Sequence, residues 1–223
     1  MGTANEPNYS SDLIAWEQDA LHSREDVTVL AGSGSDRALL VGQVLGRQSK
    51  GPPTSAAKSG GNTGDGAMGA VTLGAEAVPG VYKLRITKAA ANAGDFQVTD
   101  PQGDVIGVGT VGVAFAGAHL NFTLADGSAD FIVGDGFDIT VPAGAGKVKE
   151  IDFAATDGTE DAYGVLVHAV TAPNGVDARG VAIVRDADLR NTGLVWPGGA
   201  TDAQKSAALD QLAARGIVIR SVA

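Results

Sequence analysis

The residues best suited to acid–base or metal chemistry are the three histidines, His22, His119 and His168, which lie on dissimilar segments of the chain. Because the chain has no cysteine, its composition excludes a disulfide, a thiolate nucleophile and a zinc–thiolate site. Carboxylates are plentiful, but no serine lies in the Gly-x-Ser-x-Gly pattern of a hydrolase. His168 lies in a predicted apolar strand, where a histidine more often belongs to a core or an interface than acts as a base. We therefore predict no enzyme and no cofactor.

A glycine motif at residues 107–112 matches the dinucleotide-binding pattern Gly-x-Gly-x-x-Gly letter for letter. In a dinucleotide site this loop opens a helix whose N-terminus faces the pyrophosphate, whereas here Val113-Ala114-Phe115 continues as a strand. We interpret the motif as a flexible or bulged strand. Asp-Gly pairs occur at 65–66, 126–127, 135–136 and 157–158. They lack the spacing of an EF-hand, and the dipeptide indicates hairpin turns rather than a calcium site.

The tryptophan of Leu194-Val195-Trp196-Pro197 is a candidate recognition residue, because an exposed indole could stack on a sugar ring. A tryptophan between an apolar pair and a proline is more often a packing anchor. Tryptophan is also enriched at subunit interfaces. From the residues alone, a core role and an interface role for Trp196 stay equally open.

The segment that follows Trp196 predicts a helix delimited at both ends. Thr201 and Gln204 have the spacing of a capping box, and Gly216 stands where a left-handed C-terminal cap is expected. One face of the helix carries Ala208, Leu209, Leu212 and Ala213. This face should pack against a core, and the β-branched run Ile217-Val218-Ile219 should tie the end of the chain into a sheet.

The first 26 residues predict an arm. They hold six acids and one base, and their only amphipathic patch is too short to fold by itself. Leu13, Ile14, Trp16 and Leu21 form this patch. The alternative is that Trp16 is buried in the core of the protein itself.

The next residues are typical of β structure. Residues 27–45 hold two apolar runs on either side of Gly32-Ser33-Gly34-Ser35, which predicts a β-hairpin. Residues 49–61 contain breakers and polar residues without an apolar periodicity, which is the composition of a linker.

Residues 62–142 alternate strand and turn with little helix potential. Apolar residues recur at every second position, as in Tyr82, Leu84 and Ile86 and again in Phe96 and Val98. Six or seven short strands separated by Gly and Asp turns predict a β-sandwich of Ig-like or jelly-roll-like type.

The composition argues against several partners. A net charge of −10 disfavours nucleic acid and anionic membranes, since both are bound by clustered lysine and arginine. No apolar run reaches the length of a membrane span, and residues 1–6 do not have the pattern of a secretory signal. We therefore expect synthesis in a cytoplasm and use in an aqueous setting.

Both flanks of the chain together resemble a known family. The C-terminal segments that show the resemblance are Val165-Leu166, Leu194-Val195-Trp196-Pro197, the helix from Thr201 to Gly216 and Ile217-Val218-Ile219. The N-terminal segments that show it are His22-Ser23-Arg24-Glu25, Val27-Thr28-Val29, Ala31-Gly32-Ser33-Gly34 and Val41-Gly42-Gln43-Val44-Leu45-Gly46. Asp157-Gly158-Thr159 before Tyr163 also fits. The chain thus resembles the lambda-type head decoration proteins of tailed bacteriophages over roughly residues 10–50 and 147–223, and the middle lies outside the pattern.

The resemblance implies a mainly β chain in which a β-clip-like domain with a C-terminal helix is interrupted by an inserted β-sandwich. The implied boundaries are an arm at 1–26, a split domain at 27–54 plus 147–223, an inserted domain at 62–142, and linkers at 55–61 and 143–146. It further implies a homotrimer that sits on the outer surface of an expanded virion capsid, contacts the major capsid protein and stabilises the shell.

Candidate contact residues follow from the resemblance and the apolar patch. We expect capsid contacts from Leu13, Ile14, Trp16, Leu21 and Arg24 of the arm. Trp196, Pro197 and His168 are expected at the trimer interface or as packing anchors. A competing function is a surface-displayed adhesion or carbohydrate-binding module, in which the inserted domain binds a host-surface glycan.

Overall fold

The computed structural model of the chain describes residues 9–221. Residues 1–8, where the predicted arm begins, and residues 222–223 lie outside the described part. The chain divides into two compact units: unit 1 contains residues 1–48 and 146–223, and unit 2 contains residues 49–145. Within residues 9–221, no helix is long and apolar enough to cross a membrane.

The elements follow one another in three groups. The first part of unit 1 contains the helices α1 (Ser10–Leu13) and α2 (Ala20–Ser23) and the strands β1 (Ile14–Glu17), β2 (Arg24–Val29), β3 (Arg37–Leu39) and β4 (Val44–Arg47). Unit 2 contains β5 (Thr54–Ala57), β6 (Thr72–Leu73), β7 (Gly80–Ala90), β8 (Ala93–Thr99), β9 (Val105–Thr110), β10 (Ala114–Ala116), β11 (Leu120–Thr123) and β12 (Gly136–Val141). The second part of unit 1 contains β13 (Val148–Glu150), β14 (Ala162–Leu166), β15 (Val170–Ala172), β16 (Ala178–Ile183), β17 (Ala187–Arg190), a single 3-10 turn (Asn191–Gly193), α3 (Asp202–Ala213) and β18 (Ile217–Arg220). The chain is mainly β with a C-terminal helix, which confirms the predicted fold class.

Unit 1 is built around a closed five-stranded barrel with the strand order β13-β2-β16-β14-β4. A three-stranded sheet, β1-β17-β18, and a two-stranded sheet, β15-β3, complete its β structure. Val29, Leu45 and Leu166 belong to one buried cluster of apolar side chains in this unit. Leu212 of α3 and Ile217 of β18 belong to a second cluster, so helix and terminal strand pack into the same core as predicted.

The helix α3 begins and ends as its sequence predicts. The Gln204 amide N–H donates to the Thr201 hydroxyl at 3.3 Å, and the Thr201 N–H donates back to Gln204 Oε1 at 2.9 Å. Gly216 has a φ of +76°, which closes the last turn because glycine has no Cβ to oppose this conformation. The chain then turns directly into β18, which pairs in parallel with β17.

The predicted hairpin over residues 27–45 is wrong. Strand β2 pairs with β16 and β13, while β4 pairs with β14 and β13. Strand β3 pairs with β15. Turn residues between two apolar runs bend the chain, but the partner of each strand is decided by distant segments that complete the barrel.

Unit 2 consists of two antiparallel sheets that share one apolar core. The larger sheet has the order β5-β12-β7-β8-β9, and the smaller has the order β10-β11-β6. The predicted inward faces are confirmed, since Tyr82, Leu84 and Phe96 are fully buried. The segment expected to be a linker contains β5, which pairs with β12 at the edge of the larger sheet. Composition alone misses this strand because its four residues, TSAA, are exposed and lack an apolar periodicity.

The glycine motif lies in β9 and the turn after it, and no helix follows. A Cβ on Gly109 would stand 2.4 Å from the Phe96 ring, and a Cβ on Gly107 would stand 2.8 Å from the Phe115 ring. The first two glycines are therefore explained by the close approach of aromatic rings to the strand backbone.

Two aspartate side chains hold loops of unit 2 in place by accepting hydrogen bonds from backbone N–H groups. Asp135, which is buried, accepts hydrogen bonds from the backbone N–H groups of Thr63, Gly64 and Ile132 at 3.0, 3.0 and 3.1 Å. Asp65 accepts from the N–H of Ala129 at 2.8 Å in the same manner. Neither Asp65-Gly66 nor Asp135-Gly136 forms the hairpin turn predicted for it, because each joins strands that do not pair, and both aspartates hold loop backbone instead.

Candidate functional site

The sheet β1-β17-β18 presents an exposed aromatic side chain. Trp16, Asp188 and Val218 lie opposite one another across the three strands, so their side chains share one face. Trp16 is 55% exposed and Val218 is 40% exposed, whereas Leu189 and Ile217 on the other face are fully buried. We call the exposed side, with Trp16 and Val218, the Trp16 face.

The segment that carries Trp16 is docked on unit 1, which differs from the detached arm predicted from the sequence. Leu13 is fully buried in the unit 1 core and packs against Gly193. Arg24 donates two hydrogen bonds to the Glu17 carboxylate, at 2.9 and 2.6 Å, and these bonds join the end of β1 to the start of β2. Residues 9–26 therefore belong to unit 1, because the Leu13 side chain is buried in its core and Arg24 bonds to Glu17, while Trp16 and Leu21 stay exposed.

The five residues expected to contact the capsid fall into three environments. The buried Leu13 side chain is corrected from a contact to a core residue, and Ile14 is half-buried against the same core. Arg24 is committed to Glu17. Trp16 and Leu21 remain exposed, the latter at 94%, the highest value among the exposed large apolar side chains of the described chain.

Asp186 bonds to the residues that hold Trp16 and Leu21 in place. It was not identified by the sequence analysis. Its carbonyl oxygen accepts from the Gln18 N–H at 3.3 Å and from the Ser23 hydroxyl at 2.9 Å. Its carboxylate Oδ2 lies 2.8 Å from His22 Nε2. The residue has a φ of +45°, which is uncommon for a side-chain-bearing residue and has no local signature in the sequence. Residues on both sides of Leu21 are thus tied to the turn before β17.

A second candidate surface is an open groove beside Trp196. Its larger recess has a volume of about 500 Å³ and its smaller one about 390 Å³. The two share Glu150, Pro197 and Gly198, and the larger is also lined by Trp196 and Arg37. We call these five residues the Trp196 groove.

The strand β4 positions the tryptophan of this groove. The Val195 N–H donates to the Gly42 carbonyl at 2.8 Å, and the Val44 N–H donates to the Val195 carbonyl at 3.0 Å. This backbone pairing leaves Trp196 half-buried, in contact with the core on one side and with the groove on the other. Pro197 is also half-buried, and His168 is exposed between β14 and β15, where no element brings it into either recess.

The groove is charged, although the sequence analysis singled out none of its ionic residues. The Arg37 Nη1 atom donates to both oxygens of Glu150, and its Nε donates to the Leu30 carbonyl at 3.0 Å. The Lys149 ammonium lies 2.8 Å from Asp152 Oδ2 and holds the pKa of that carboxyl below its ordinary value. Asp152, which lines the smaller recess, is therefore ionised at neutral pH. Among residues 9–221, no three His, Cys, Asp or Glu side chains are grouped so as to hold a metal ion.

Comparisons with known proteins give one extensive match. The family model of the bacteriophage lambda head decoration protein D matches residues 3–217. No curated protein matches the chain. Two crystal structures of FlgL from Xanthomonas campestris are similar to 53% of the chain at 19% identity, with TM-scores of 0.33 and 0.32. The matches cover 41% and 40% of the FlgL chains, so the similarity spans about two fifths of their length.

Proposed function

The chain belongs to the family of the bacteriophage lambda head decoration protein D, and from that premise we propose that it binds the outer surface of the expanded head as a homotrimer. In this proposal each trimer cements neighbouring subunits of the major capsid protein. A capsid decoration role and a location in the virion follow from the family itself. The family is structural, and the proposal requires no catalytic residue.

The observation that carries the proposal is the pair of exposed apolar side chains, Trp16 and Leu21, on one short docked segment. Burying such a side chain at an interface contributes about 2 kcal/mol. Aromatic anchors of this kind commonly dominate the binding energy of an interface. We therefore propose that the Trp16 face together with Leu21 contacts the major capsid protein.

The docked state of this segment favours tight binding. An arm that orders only on contact loses conformational entropy at that moment, whereas a segment already tied to Asp186 and Glu17 loses less. The capsid contact is then made by a preformed surface. Binding only to the expanded lattice stabilises that lattice by mass action, and three copies about one axis add avidity.

The Trp196 groove is the proposed self-association surface. The half-buried Trp196 ring is anchored by the backbone pairing of Val195 and lines the open groove, where a second copy of the chain can cover it. His168, which is exposed and lies outside both recesses, is a separate candidate for a contact between protomers. The net charge of −10 suits an outer surface that does not bind nucleic acid.

The capsid contact is tested by sedimentation of purified chain with expanded and unexpanded heads of its phage. We expect the double variant Trp16→Ser/Leu21→Ser to bind expanded heads at least about tenfold more weakly than the unmodified chain. The matched control is Leu40→Ser/Val176→Ser, which removes two other apolar side chains of unit 1 that are 56% and 58% exposed. Equal binding by both double variants would contradict the proposed contact surface.

Self-association is tested by sedimentation velocity of the 22.3 kDa chain. We expect a trimer that dissociates in Trp196→Ala. Because Trp196 also touches the core, thermal unfolding checks its variant, and His168→Ala, whose exposed side chain lies outside both recesses, tests whether the interface extends beyond the groove. A chain that stays monomeric at every concentration, or a trimer unaffected by either substitution, contradicts this interface.

The adhesion alternative is not favoured by unit 2. Sugar recognition commonly uses an exposed aromatic ring, but every aromatic residue of unit 2 is buried in its core. These residues are Tyr82, Phe96, Phe115, Phe122, Phe131 and Phe137. The large apolar side chains that unit 2 exposes are valine and isoleucine, which have no ring face for stacking.

A further inference from the structure

One end of the unit 1 barrel carries three arginines around one tyrosine. At this end β2 and β14 begin and β4 and β16 end, as their antiparallel pairings require. Arg47 ends β4, Tyr163 lies at the start of β14, and Arg185 follows β16. Together with Glu25 of β2 and Arg215, which follows α3, these residues form what we call the Tyr163 cluster.

The tyrosine ring orders two of the arginines. The guanidinium carbons of Arg47 and Arg215 lie 4.9 and 4.8 Å from the centroid of the Tyr163 ring. Cations at this distance from an aromatic ring are attracted by its electron density. Tyr163 is itself only 6% exposed, so the ring is a fixed support for the two side chains.

The Glu25 carboxylate accepts hydrogen bonds from the other polar groups of the cluster. The Tyr163 hydroxyl donates to Glu25 Oε2 at 3.1 Å, and Arg185 Nη2 donates to the same oxygen at 3.2 Å. Burial raises the pKa of Tyr163, so its hydroxyl stays protonated and remains a donor. Arg47 Nη1 donates to the tyrosine oxygen at 3.0 Å.

Arg47 and Arg215 therefore keep most of their donors for a ligand. Both are exposed, and within the described residues neither forms an ion pair with a carboxylate. Each guanidinium has five N–H donors, of which contact with a ring face uses none. Each of these guanidinium groups is held against one rigid ring and can bind an oxygen anion through paired hydrogen bonds.

We propose that the Tyr163 cluster binds carboxylates of an acidic segment of a partner polypeptide through Arg47 and Arg215. A polyanion such as nucleic acid is opposed by the net charge of −10, which acts at long range along its whole backbone. One or two carboxylates on a neutral chain meet the three arginines of the cluster against the nearby carboxylates of Glu25 and Asp186, while salt screens the more distant acids. This site involves neither the Trp16 face nor the Trp196 groove, so it goes beyond the decoration function.

The test is calorimetric titration of the full chain with an N-acetylated, C-amidated oligoglutamate peptide, with an oligoglutamine peptide as the neutral control. We expect the acidic peptide alone to bind, and we expect Arg47→Gln and Arg215→Gln each to weaken it about tenfold. Arg215→Lys keeps the charge but loses the planar fork, so its loss should be smaller. Arg179→Gln removes an arginine near the far end of β16 and should change the affinity by less than about twofold.

Folding and ligand class are checked in the same series. Because Arg47 bonds to Tyr163, its variant is compared with the unmodified chain by thermal unfolding, whereas Arg215 contributes only its ring contact and is the safer variant. Absence of oligoglutamate binding, or binding unchanged in both glutamine variants, overturns the proposal. Inorganic phosphate that binds more tightly than the peptide also overturns it and assigns a small-anion site. No capsid is used, so this result and the decoration experiments fail independently.

Discussion

The two units differ in what they do with their aromatic side chains. Unit 2 buries all six of its aromatic residues in its core, whereas unit 1 leaves Tyr9 and Trp16 more than half exposed and Trp196 half-buried beside a groove. Aromatic rings stabilise a core or an interface equally well, but only an exposed ring is available to a partner. The difference is consistent with our proposal that unit 1 makes the capsid contacts, and each unit has an apolar core of its own.

The units also differ in how the chain builds them. Unit 2 pairs consecutive strands in β7-β8-β9, while unit 1 pairs segments from opposite ends of the chain, such as Ile14 with Leu189. The entropy of closing a loop rises by only about 0.6 kcal/mol for each doubling of its length. A unit made of two distant segments can therefore accommodate the residues between them at small cost in stability.

The largest expected effect tests whether the cores of the two units unfold separately. Phe96→Ala removes a fully buried ring that contacts Phe115 and Phe122, and we expect unit 2 to lose about 3–5 kcal/mol of unfolding free energy. Both tryptophans of the chain lie in unit 1, so tryptophan fluorescence during urea unfolding reports unit 1 while circular dichroism reports both. The urea concentration at the midpoint of the fluorescence transition should stay unchanged. If it moves with the dichroism, the two units unfold as one.

The second effect tests whether the N-terminal segment belongs to unit 1. Leu13→Ala removes a fully buried side chain, so the unfolding free energy of unit 1, measured by tryptophan fluorescence, should fall by about 2–5 kcal/mol. Leu21→Ala, in the same segment but 94% exposed, should change it by less than about 0.5 kcal/mol. Equal effects of the two substitutions would mean that the segment is not docked in solution.

The third effect concerns the acid sensitivity of unit 2. Burial opposes ionisation of Asp135, but the N–H groups of Gly64, Thr63 and Ile132 and the charge of Lys58 outweigh it, and the pKa of Asp135 is lowered. A lowered native pKa stabilises the fold above the ordinary carboxyl pKa, and this contribution is lost as the pH falls through the native value.

Asp135→Asn should therefore destabilise unit 2 by about 1–3 kcal/mol at neutral pH, because an amide N–H₂ would face backbone donors. The difference from the unmodified chain should shrink as the solution is acidified. Urea unfolding followed by circular dichroism at several pH values measures it. A difference that is constant with pH would show that the ionised carboxylate is not the stabilising form.

The smallest effect is local to α3. Thr201→Ala removes the hydroxyl that accepts from the Gln204 N–H and should cost unit 1 about 1 kcal/mol. Ser206→Ala in the exposed middle of the same helix is the matched control and should not destabilise. Fluorescence-detected urea unfolding compares them. A Thr201 variant as stable as the control would show that the cap contributes nothing to unit 1.

Several elements could be predicted because their determinants are local. The cap pair Thr201 and Gln204 delimits α3, and the apolar alternation of Tyr82, Leu84 and Ile86 assigns the inner face of β7. Each of these signals depends on residues within one or two turns or on one strand. The family pattern in the two flanks likewise could be recognised from short motifs, and it is shown by the match over residues 3–217.

The sequence by itself determined the β-rich class, the inward faces of the long strands and the terminal helix. The tertiary structure alone decided that 27–45 is not a hairpin, that Leu13 belongs to the core, and that Asp186 and Tyr163 gather partners from across the chain. The physical reason is that periodicity states which side of a strand is apolar, while the partner that covers it is selected among all distant segments at once. Exposure of Trp16 is the clearest case, because the same apolar patch was compatible with a free arm, a buried anchor or the docked and partly exposed segment that the fold produces.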